Sequence, residues 1–560
     1  MSRSRVSRAV LALCLALGST SCGGGDGAQP GATRDWNVLV ITIDTLRADH
    51  LGFAGYDGAD TPVLDGLADA GAVFEDAVSG APVTLPSHST IFTGLNSPRH
   101  GALDNGFYSL PEDVPTMADV LHAAGYETAA VVGAYVLHAQ YGLDSGFEHY
   151  DDRFRQPRSD ADEHLERPAD VVVDRALEWL DGRDPDRPFL LWTHFFDPHA
   201  PYEPPRSFRM RFATRPYDGE IAFTDEQIGR LLTGLTERGL RERTLVVLTA
   251  DHGEAMGDGG EKTHGLLLRR TTLHVPLVVH APGAVPSCRV PGVVSTADIL
   301  PTVLELAGVA APEDLDGISL LPAIAAKVSR GRLAYSETRL PEDLYGWSML
   351  AGVRNDDWAY VRGPIPELYD VPGDPGERNN VHAERPEEAR VLDERVGAVL
   401  AQQRDVAPGN IGAREVEALR ALGYVVDTEV AQSTGVDPKE RLDAWNRVND
   451  LRQLLPARRF REVVEGMEAV LAEDPGNREA RMLLGQALIG AGRAEEGLEQ
   501  FRFLAERGWA LGRSGILFAR SLAESGHPEE AESLLRSFEE LEPKFAEHPF
   551  NLGVLLNSLG

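Results

Sequence analysis

The sequence predicts an α/β domain built on a mostly parallel sheet, followed by an all-α repeat module. Three observations indicate this: apolar runs typical of buried strands, amphipathic segments of helical period between them, and a strandless tail that repeats at fixed spacing. The runs are Val38–Ile43, Phe189–Phe196 and Thr244–Thr249, and the helical patterns include Asp170–Leu180 and Asp225–Leu235. Because strand and helix alternate along the chain, we expect helices on both faces of the sheet.

The composition of the chain excludes several classes of function. Its 560 residues include 54 basic and 87 acidic side chains, a formal net charge of −33. This acidity gives no electrostatic basis for binding nucleic acid or an anionic bilayer. Apolar residues make up 42% and charged residues 25%, which is typical of a globular protein and argues against disorder or many membrane spans. We therefore expect no nucleic-acid partner.

Residues 1–22 are typical of a bacterial lipoprotein signal peptide. Arg3, Arg5 and Arg8 precede an apolar run that is too short to span a bilayer, and small residues then lead to Cys22. We predict export to the periplasm or cell envelope, with a lipid anchor at Cys22 as the only membrane contact. Residues 23–35 would then form a flexible tether. Simple cleavage just before Cys22, without lipidation, is the alternative.

Candidate metal ligands follow two of the predicted strands. Asp44 comes directly after the first apolar run, and Asp251 and His252 follow the run that ends at Thr249. Ligand sites of open α/β sheets lie at the carboxyl ends of the strands. We therefore expect these side chains at one edge of the sheet.

Five motifs follow one another in order between residues 36 and 385. They are Asn37–His50, Thr84-Leu85-Pro86-Ser87-His88 with Thr93-Gly94, Gly125-Tyr126-Glu127-Thr128, Asp251-His252-Gly253-Glu254, and Glu367-Leu368-Tyr369-Asp370 with Asp374-Pro375. Together they resemble the sulfatase family of the alkaline phosphatase superfamily. The resemblance implies a catalytic domain over residues 36–385 with an alkaline-phosphatase-like, mostly parallel sheet sandwiched by helices. It also implies metal-dependent cleavage of sulfate or phosphate esters.

Three groups that handle sulfate in the family are replaced in this chain. Sulfatases carry Cys or Ser, oxidised to formylglycine, where this chain has Thr84, which cannot form that aldehyde. The arginine that ends the same motif is His88, and the lysine of the second signature is Ala134. These replacements favour phosphoryl chemistry over sulfate-ester hydrolysis, with either water or an alcohol as the acceptor.

Asp44, Thr84, Asp251 and His252 together resemble the single-metal site of lipoteichoic acid synthases and lipid A phosphoethanolamine transferases, which use a threonine nucleophile. An imidazole where sulfatases have asparagine favours zinc or manganese, with calcium as a third candidate. A divalent ion at the Thr84 hydroxyl would lower the pKa of that hydroxyl and let Thr84 form a covalent ester. We therefore predict Thr84 as both nucleophile and metal ligand.

Two further histidines lie within matched motifs and are predicted to be catalytic. His199 stands at the position of the family's substrate-side histidine, and His264 lies 12 residues after His252, a spacing similar to that in the phosphoethanolamine transferases. Either histidine could protonate a leaving oxygen or bind a second metal ion. The residues predicted to support the site are Arg47, His88 and Asn105.

The tail from residue 437 repeats every 34 residues. Gly485, Ala519 and Gly553 are separated by this interval, as are Gly492 and Gly526. It is the period of the tetratricopeptide (TPR) repeat, which stacks into a solenoid. We predict a TPR solenoid over residues 437–560 that binds a protein partner, joined to the catalytic domain by a helical linker over residues 386–436. A plain amphipathic helical bundle is the alternative.

The predicted function is a sulfatase-like, metal-dependent ester hydrolase or phosphotransferase. Its substrate would be a sulfate or phosphate ester, for example on a glycan or a lipid head group. The alternative is a catalytically inactive sulfatase-like fold that acts as an envelope scaffold through its TPR repeats. Retention of Asp44, Thr84, Asp251 and His252 favours the enzyme, whereas loss of the sulfate-handling Arg and Lys fits the scaffold.

Overall fold

A computed structural model describes residues 28–154, 166–407, 433–506, 518–523 and 526–541. The predicted signal peptide with Cys22, residues 23–27 of the predicted tether, half of the predicted linker and parts of the repeat tail lie outside these residues. Residues 28–35 of the predicted tether are described, and Ala28 and Thr33 among them are buried. Within the described ranges, no helix combines the length and apolar character that crossing a membrane requires.

An eight-stranded sheet forms the centre of the larger unit. Its strands are β1 (Asn37–Ile43), β2 (Ala72–Val78), β3 (Glu127–Val131), β4 (His149–Asp151), β5 (Phe189–Phe195), β6 (Thr244–Ala250), β7 (His274–His280) and β8 (Cys288–Ser295). Their spatial order is β4-β3-β5-β1-β6-β7-β2-β8. The first five in this order are mutually parallel, whereas β7 is antiparallel to both of its neighbours. The carboxyl ends of the five parallel strands therefore share one edge.

The three predicted strand runs are confirmed as β1, β5 and β6, which lie side by side in the sheet. Every residue of these strands is buried, as expected for central parallel strands covered on both faces. Ile43 at the end of β1 pairs with Phe195 of β5 and with Ala250 of β6. This register brings the segments that follow the three strands to the same level of the sheet edge.

The helices of the larger unit pack around this sheet. They are α1 (Pro62–Ala70), α2 (Thr84–Thr93), α3 (Ser97–His100), α4 (Met117–Ala123), α5 (Ala169–Gly182), α6 (Arg206–Arg211), α7 (Pro216–Glu237), α8 (Arg270–Leu273), α9 (Ile299–Ala307), α10 (Leu321–Ala326) and α11 (Leu340–Tyr345). The predicted helical patterns are confirmed as α5 and as part of α7.

All ten residues of α2 are buried although six of them are polar. The hydroxyls of Ser89, Thr90 and Thr93 donate to backbone carbonyls four residues earlier, so their polar atoms need no water. Pro86 is tolerated because the first turn of a helix has no backbone acceptor for its missing N–H. A helix with no exposed polar face can therefore lie between the sheet and α9.

A second, four-stranded antiparallel sheet follows. Its strands are β9 (Ala334–Thr338), β10 (Leu350–Arg354), β11 (Trp358–Arg362) and β12 (Glu367–Asp370), and helix α12 (Pro386–Leu400) packs on it. Leu392 and Val396 of α12 join Tyr335, Val353 and Leu368 in one apolar cluster. The helix within the predicted linker is therefore packed on this sheet.

Beyond residue 437 the chain is helical. The helices are α13 (Leu442–Arg452), α14 (Phe460–Glu473), α15 (Arg478–Gly490), α16 (Ala494–Ala505) and α17 (Pro528–Leu541). From α13 to α16, each helix packs against the next. A Cβ at Gly485 would lie 2.9 Å from the ring of Phe501, so a small residue is required where α15 meets α16. A helical array is therefore present, and its assignment as a TPR solenoid stays a prediction.

Candidate active site and metal centre

Three buried ligand atoms without hydrogen-bond partners meet at the carboxyl edge of the parallel strands. They are Asp44 Oδ1, Asp251 Oδ2 and His252 Nε2, on residues that are at most 1% exposed. His252 Nε2 lies 3.7 Å from Asp44 Oδ1 and 3.5 Å from Asp251 Oδ2. Buried polar atoms are rarely left unpaired, and these separations suit ligands placed about 2.0–2.2 Å from one shared ion. The cluster can therefore bind a divalent metal.

The remaining polar atoms of two ligands are held by the backbone. Asp251 Oδ1 accepts hydrogen bonds from the N–H groups of Thr45, at 3.2 Å, and of His252, at 2.7 Å. His252 Nδ1 lies 2.9 Å from the carbonyl oxygen of Gly253, so Nδ1 carries the proton and Nε2 presents a lone pair. Both side chains are thus oriented for metal binding before an ion arrives.

His88 is close to the cluster, but both of its ring nitrogens are already used. Nδ1 donates to the carbonyl oxygen of Thr84 at 2.8 Å, and Nε2 accepts from the Thr42 hydroxyl at 3.0 Å. Burial lowers the pKa of His88 to about 3, so the ring is neutral. By distance alone His88, His194 and Asp251 could also hold an ion, yet His88 has no lone pair free for one. His88 instead ties the start of α2 to the metal edge.

His194, on β5, is a site residue that the motifs did not indicate. Its Nδ1 accepts from the N–H of Gly133 at 3.3 Å, which leaves the proton on Nε2, 3.6 Å from Asp44 Oδ2. Burial lowers its pKa to about 3. His194 Nε2 therefore faces Asp44 Oδ2 just beyond hydrogen-bond distance, whereas Asp44 Oδ1 is the oxygen nearer to His252. A histidine within a mostly apolar strand was the available sequence signal.

Thr84 is the first residue of α2, and Val83 occupies the N-cap position. The carbonyl oxygen of Thr84 is bound by His88, and the next N–H, that of Leu85, donates to Asn105 Oδ1 at 2.8 Å. His88 and Asn105 thus hold the backbone on both sides of the Thr84 side chain.

His199 and His264 line the side of the cluster next to His252. The ring centroids of His264 and His252 are 4.5 Å apart, and those of His199 and His264 are 5.2 Å apart. Burial acts to lower the pKa of His264, but the Glu254 carboxylate 3.3 Å from its Nδ1 raises the pKa above its ordinary value. Burial lowers the pKa of His199, whose Nδ1 donates to the Ala200 carbonyl oxygen at 2.8 Å. The two histidines are thus shifted in opposite directions, as an acid and a base require.

Arg47 follows Asp44 in the chain, and its side chain reaches the loop after Asp251 instead of the three ligands. Its guanidinium pairs with Asp49 and Asp258, each at 2.9 Å. It also donates to the carbonyl oxygens of Glu254 and Ala255. Arg47 therefore holds the backbone of Glu254. Glu254 is part of a motif in the sequence, but the motif did not indicate its role.

The chain matches two family models in succession. Residues 36–309 match the model described as Sulfatase, and residues 265–404 match N-sulphoglucosamine sulphohydrolase, C-terminal. Arylsulfatase K of Bos taurus is 24% identical over 460 residues, which cover 67% of this chain and 84% of the bovine protein. An arylsulfatase of Clostridium perfringens is 25% identical over 438 residues, covering 62% of this chain and 90% of that enzyme.

Solved structures support the fold. The phosphonate monoester hydrolase of Agrobacterium radiobacter has a TM-score of 0.57 at 23% identity and covers 66% of this chain and 96% of its own. The protein Ps i-CgsB has a TM-score of 0.59 at 20% identity over 70% of this chain and 98% of its own. The family models span the parallel sheet, the metal edge and the second sheet. Residues 36–309 therefore resemble the sulfatase family, and the chain is a sulfatase-like ester hydrolase.

Proposed function

We propose that this protein is a metal-dependent hydrolase of phosphate or sulfate monoesters, phosphate being favoured, with Thr84 as its nucleophile. The supporting observation is the set of unpartnered ligand atoms on Asp44, Asp251 and His252. The helix that Thr84 begins is joined to β1 beside them by the hydrogen bond between His88 and Thr42. Zinc or manganese fits this donor set better than calcium. When bound by these residues and the Thr84 hydroxyl, the metal would supply positive charge to the ester oxygens and acidify that hydroxyl.

The histidines provide the proton transfers that the reaction needs. Thr84 Oγ attacks phosphorus while its proton passes to His199 Nε2, and the bond from phosphorus to the leaving oxygen breaks as that oxygen takes a proton from His264. Water then attacks the Thr84 ester and gives a proton to His264, while His199 returns its proton to the departing Thr84 oxygen. The Glu254 carboxylate raises the pKa of His264, which favours the protonated form that an acid needs.

Phosphate is favoured over sulfate because of the nucleophile. A formylglycine hydrate can expel sulfate by re-forming its aldehyde, whereas a threonine ester has no such route and depends on attack by water or an alcohol. The relatives include both arylsulfatases and a phosphonate monoester hydrolase. Another structural relative, BT4656, is described with its substrate D-glucosamine-2-N,6-O-disulfate. Sugar esters therefore belong in the substrate panel.

The test begins with metal analysis of the purified protein. Hydrolysis of the 4-nitrophenyl esters of phosphate, phenylphosphonate and sulfate is then measured, together with that of glucosamine 6-phosphate and glucosamine 6-sulfate. A ³²P-labelled ester should leave label on the wild-type chain after acid quenching, and Thr84→Ala should carry none. Thr84→Ser, which keeps a hydroxyl, is the matched control and should retain both label and partial turnover.

Two results would contradict this proposal. If only the sulfate esters were cleaved, the preference for phosphoryl chemistry would be wrong. If neither metal nor turnover were found, the alternative of a catalytically inactive envelope scaffold that binds a partner through its helical array would be favoured.

Export with a lipid anchor at Cys22 is a second part of the proposal, supported by the sequence of residues 1–22. Cys22→Ala should move the protein from the membrane fraction to the soluble fraction of the envelope. Incorporation of labelled palmitate into the wild type only would give the same answer independently.

A further inference from the structure

The segment that carries His264 is a loop whose outgoing and returning strands of backbone are hydrogen-bonded to each other. We call residues 255–264 the His264 loop. The N–H of Ala255 donates to the carbonyl oxygen of Thr263 at 2.9 Å, and that of Gly257 donates to Glu261 at 2.8 Å. Because Thr263 directly precedes His264, a displacement of the returning arm would be passed to the His264 side chain.

Glu261 anchors the same loop from inside. Its side chain is fully buried, and its two carboxylate oxygens accept from the N–H groups of Leu266, at 2.8 Å, and Leu267, at 3.2 Å. These groups lie just after His264 in the chain. The position of His264 therefore depends on Glu261 staying in place.

Helix α13 of the C-terminal array clamps the loop on both sides of Glu261. Asn446 Nδ2 donates to the carbonyl oxygen of Gly260 at 2.7 Å, and Asn446 Oδ1 accepts from the N–H of Lys262 at 3.1 Å. Asp450 adds an ion pair to Lys262 Nζ at 2.6 Å. The clamp needs one donor and one acceptor on the same side chain, which a carboxamide offers and a carboxylate of the same shape does not.

Helix α13 is itself firmly attached to the catalytic unit. Trp445 is 4% exposed and belongs to the main apolar core, where its ring meets Tyr345 edge-on at a centroid distance of 5.5 Å. Leu442 lies so close to Gly260 that a Cβ there would be 2.8 Å from its methyl group. The helix can therefore hold the loop in a fixed position.

We propose that Asn446 is a positioning residue for His264, so that the first helix of the C-terminal array is a working part of the active site. The inference rests on the proposed role of His264 as the acid that protonates the leaving oxygen. Such an acid matters most when the leaving group is basic and little when it is a good leaving group. Loosening the clamp should therefore slow esters according to the basicity of their alcohol.

The experiment compares phenyl phosphate with 4-nitrophenyl phosphate in the full chain. Asn446→Asp should lower kcat for phenyl phosphate about tenfold more than kcat for 4-nitrophenyl phosphate, a fraction of what general acid catalysis contributes. KM and metal content should stay unchanged. Asn449→Asp is the matched control, because Asn449 lies on the same helix and its Oδ1 accepts from Arg452 of that helix instead of from the loop. Asn446→Ala removes both hydrogen bonds without adding charge and should act in the same direction if Asn446→Asp does not fold.

The outcomes separate the inference from the function on which it rests. Equal losses on both esters in Asn446→Asp and Asn446→Ala would mean that α13 only stabilises the fold, and the inference would be wrong. His264→Gln is measured in parallel. If His264→Gln separates the two esters and neither Asn446 variant does, the inference fails and the proposed acid stands. If His264→Gln does not separate them either, the acid role and the inference fail together.

Discussion

Three buried aspartates at the same edge of one sheet differ in the direction in which their pKa is shifted. Asp44 follows β1 and Asp251 follows β6 at the centre of the edge, whereas Asp151 ends β4 at its outer side. All three are at most 2% exposed. Burial raises the pKa of Asp44 and Asp251. Burial opposes ionisation of Asp151 too, but two arginines hold its pKa below the ordinary value.

The side chains that pair with each carboxylate, rather than its burial, determine the direction of its pKa shift. Asp151 Oδ1 is bound by Arg167 at 2.9 Å and its Oδ2 by Arg153 at 2.7 Å. Among the described residues, the ion-pair partners of Asp44 and Asp251 are histidines, all at 3.5 Å or more. The arginines neutralise the carboxylate at the outer part of the edge, whereas the carboxylates at the central part are available to a cation.

The largest expected effect is at the centre of the edge. Asp251→Asn should release the metal and lower kcat by about 10³-fold, the scale of losing a main electrostatic stabiliser of the transition state. Metal analysis and ester hydrolysis measure this. Asp151→Asn is the control and should keep its metal, and metal loss from both variants would contradict the distinction between the two parts of the edge.

The second largest effect is expected on stability, where Asp151→Asn is the test variant and Asp251→Asn is the control. Asp151→Asn leaves the buried Arg167 without a counter-charge, which should cost about 3 kcal/mol of the free energy of unfolding. Urea unfolding of the metal-free protein at pH 7 measures this. Asp251→Asn in the same metal-free state should cost much less or be stabilising, since it removes a carboxylate that has no cation.

The ion pairs of Asp151 also predict how the stability of the protein depends on pH. A carboxylate with a lowered pKa in the folded state adds stability above its unfolded pKa of about 3.9, and this stability is lost as the pH falls towards the folded value. The gap in unfolding free energy between wild type and Asp151→Asn should therefore be full at pH 6 and shrink below about pH 4. A gap that does not change with pH would show that Asp151 acts through packing instead of charge.

A smaller effect is expected for His194, whose Nε2 lies 3.6 Å from Asp44 Oδ2. His194→Gln should weaken metal binding about tenfold, at the low end for groups that orient metal ligands. Isothermal titration with zinc measures this directly and does not depend on turnover. His122→Gln, at an exposed salt bridge far from the edge, is the control. An unchanged affinity in His194→Gln would remove His194 from the site.

The smallest effect is expected for Arg153, the more exposed of the two arginines that pair with Asp151. The Arg153 side chain is 71% exposed, whereas that of Arg167 is 5% exposed. Arg153→Gln should therefore cost only about 0.5 kcal/mol of unfolding free energy, typical of a surface ion pair. A cost equal to that of Asp151→Asn would mean that both arginines are needed to neutralise the carboxylate.

Much of the fold could be predicted because its signals are local. The apolar runs that became β1, β5 and β6 are continuous, since a parallel strand buried on both faces needs an apolar side chain at every position. The rule that ligands lie at strand ends then placed Asp44 beside Asp251. His194, Glu254 and Asn446 carried no comparable signal, because their roles depend on single atoms contacted across the fold.

The sequence by itself determined the chemical inventory: three central strands, the acids that follow two of them, a threonine where sulfatases carry a formylglycine precursor, and a helical tail. Only the tertiary structure decided which acids lack a counter-charge, which histidine nitrogens present a lone pair, and that α13 holds the His264 loop. The physical reason is that burial and hydrogen-bond pairing are properties of the three-dimensional surroundings. Asp44 and Asp151 are the same residue type at the same edge, and only their neighbours make one a candidate ligand and the other half of an ion pair.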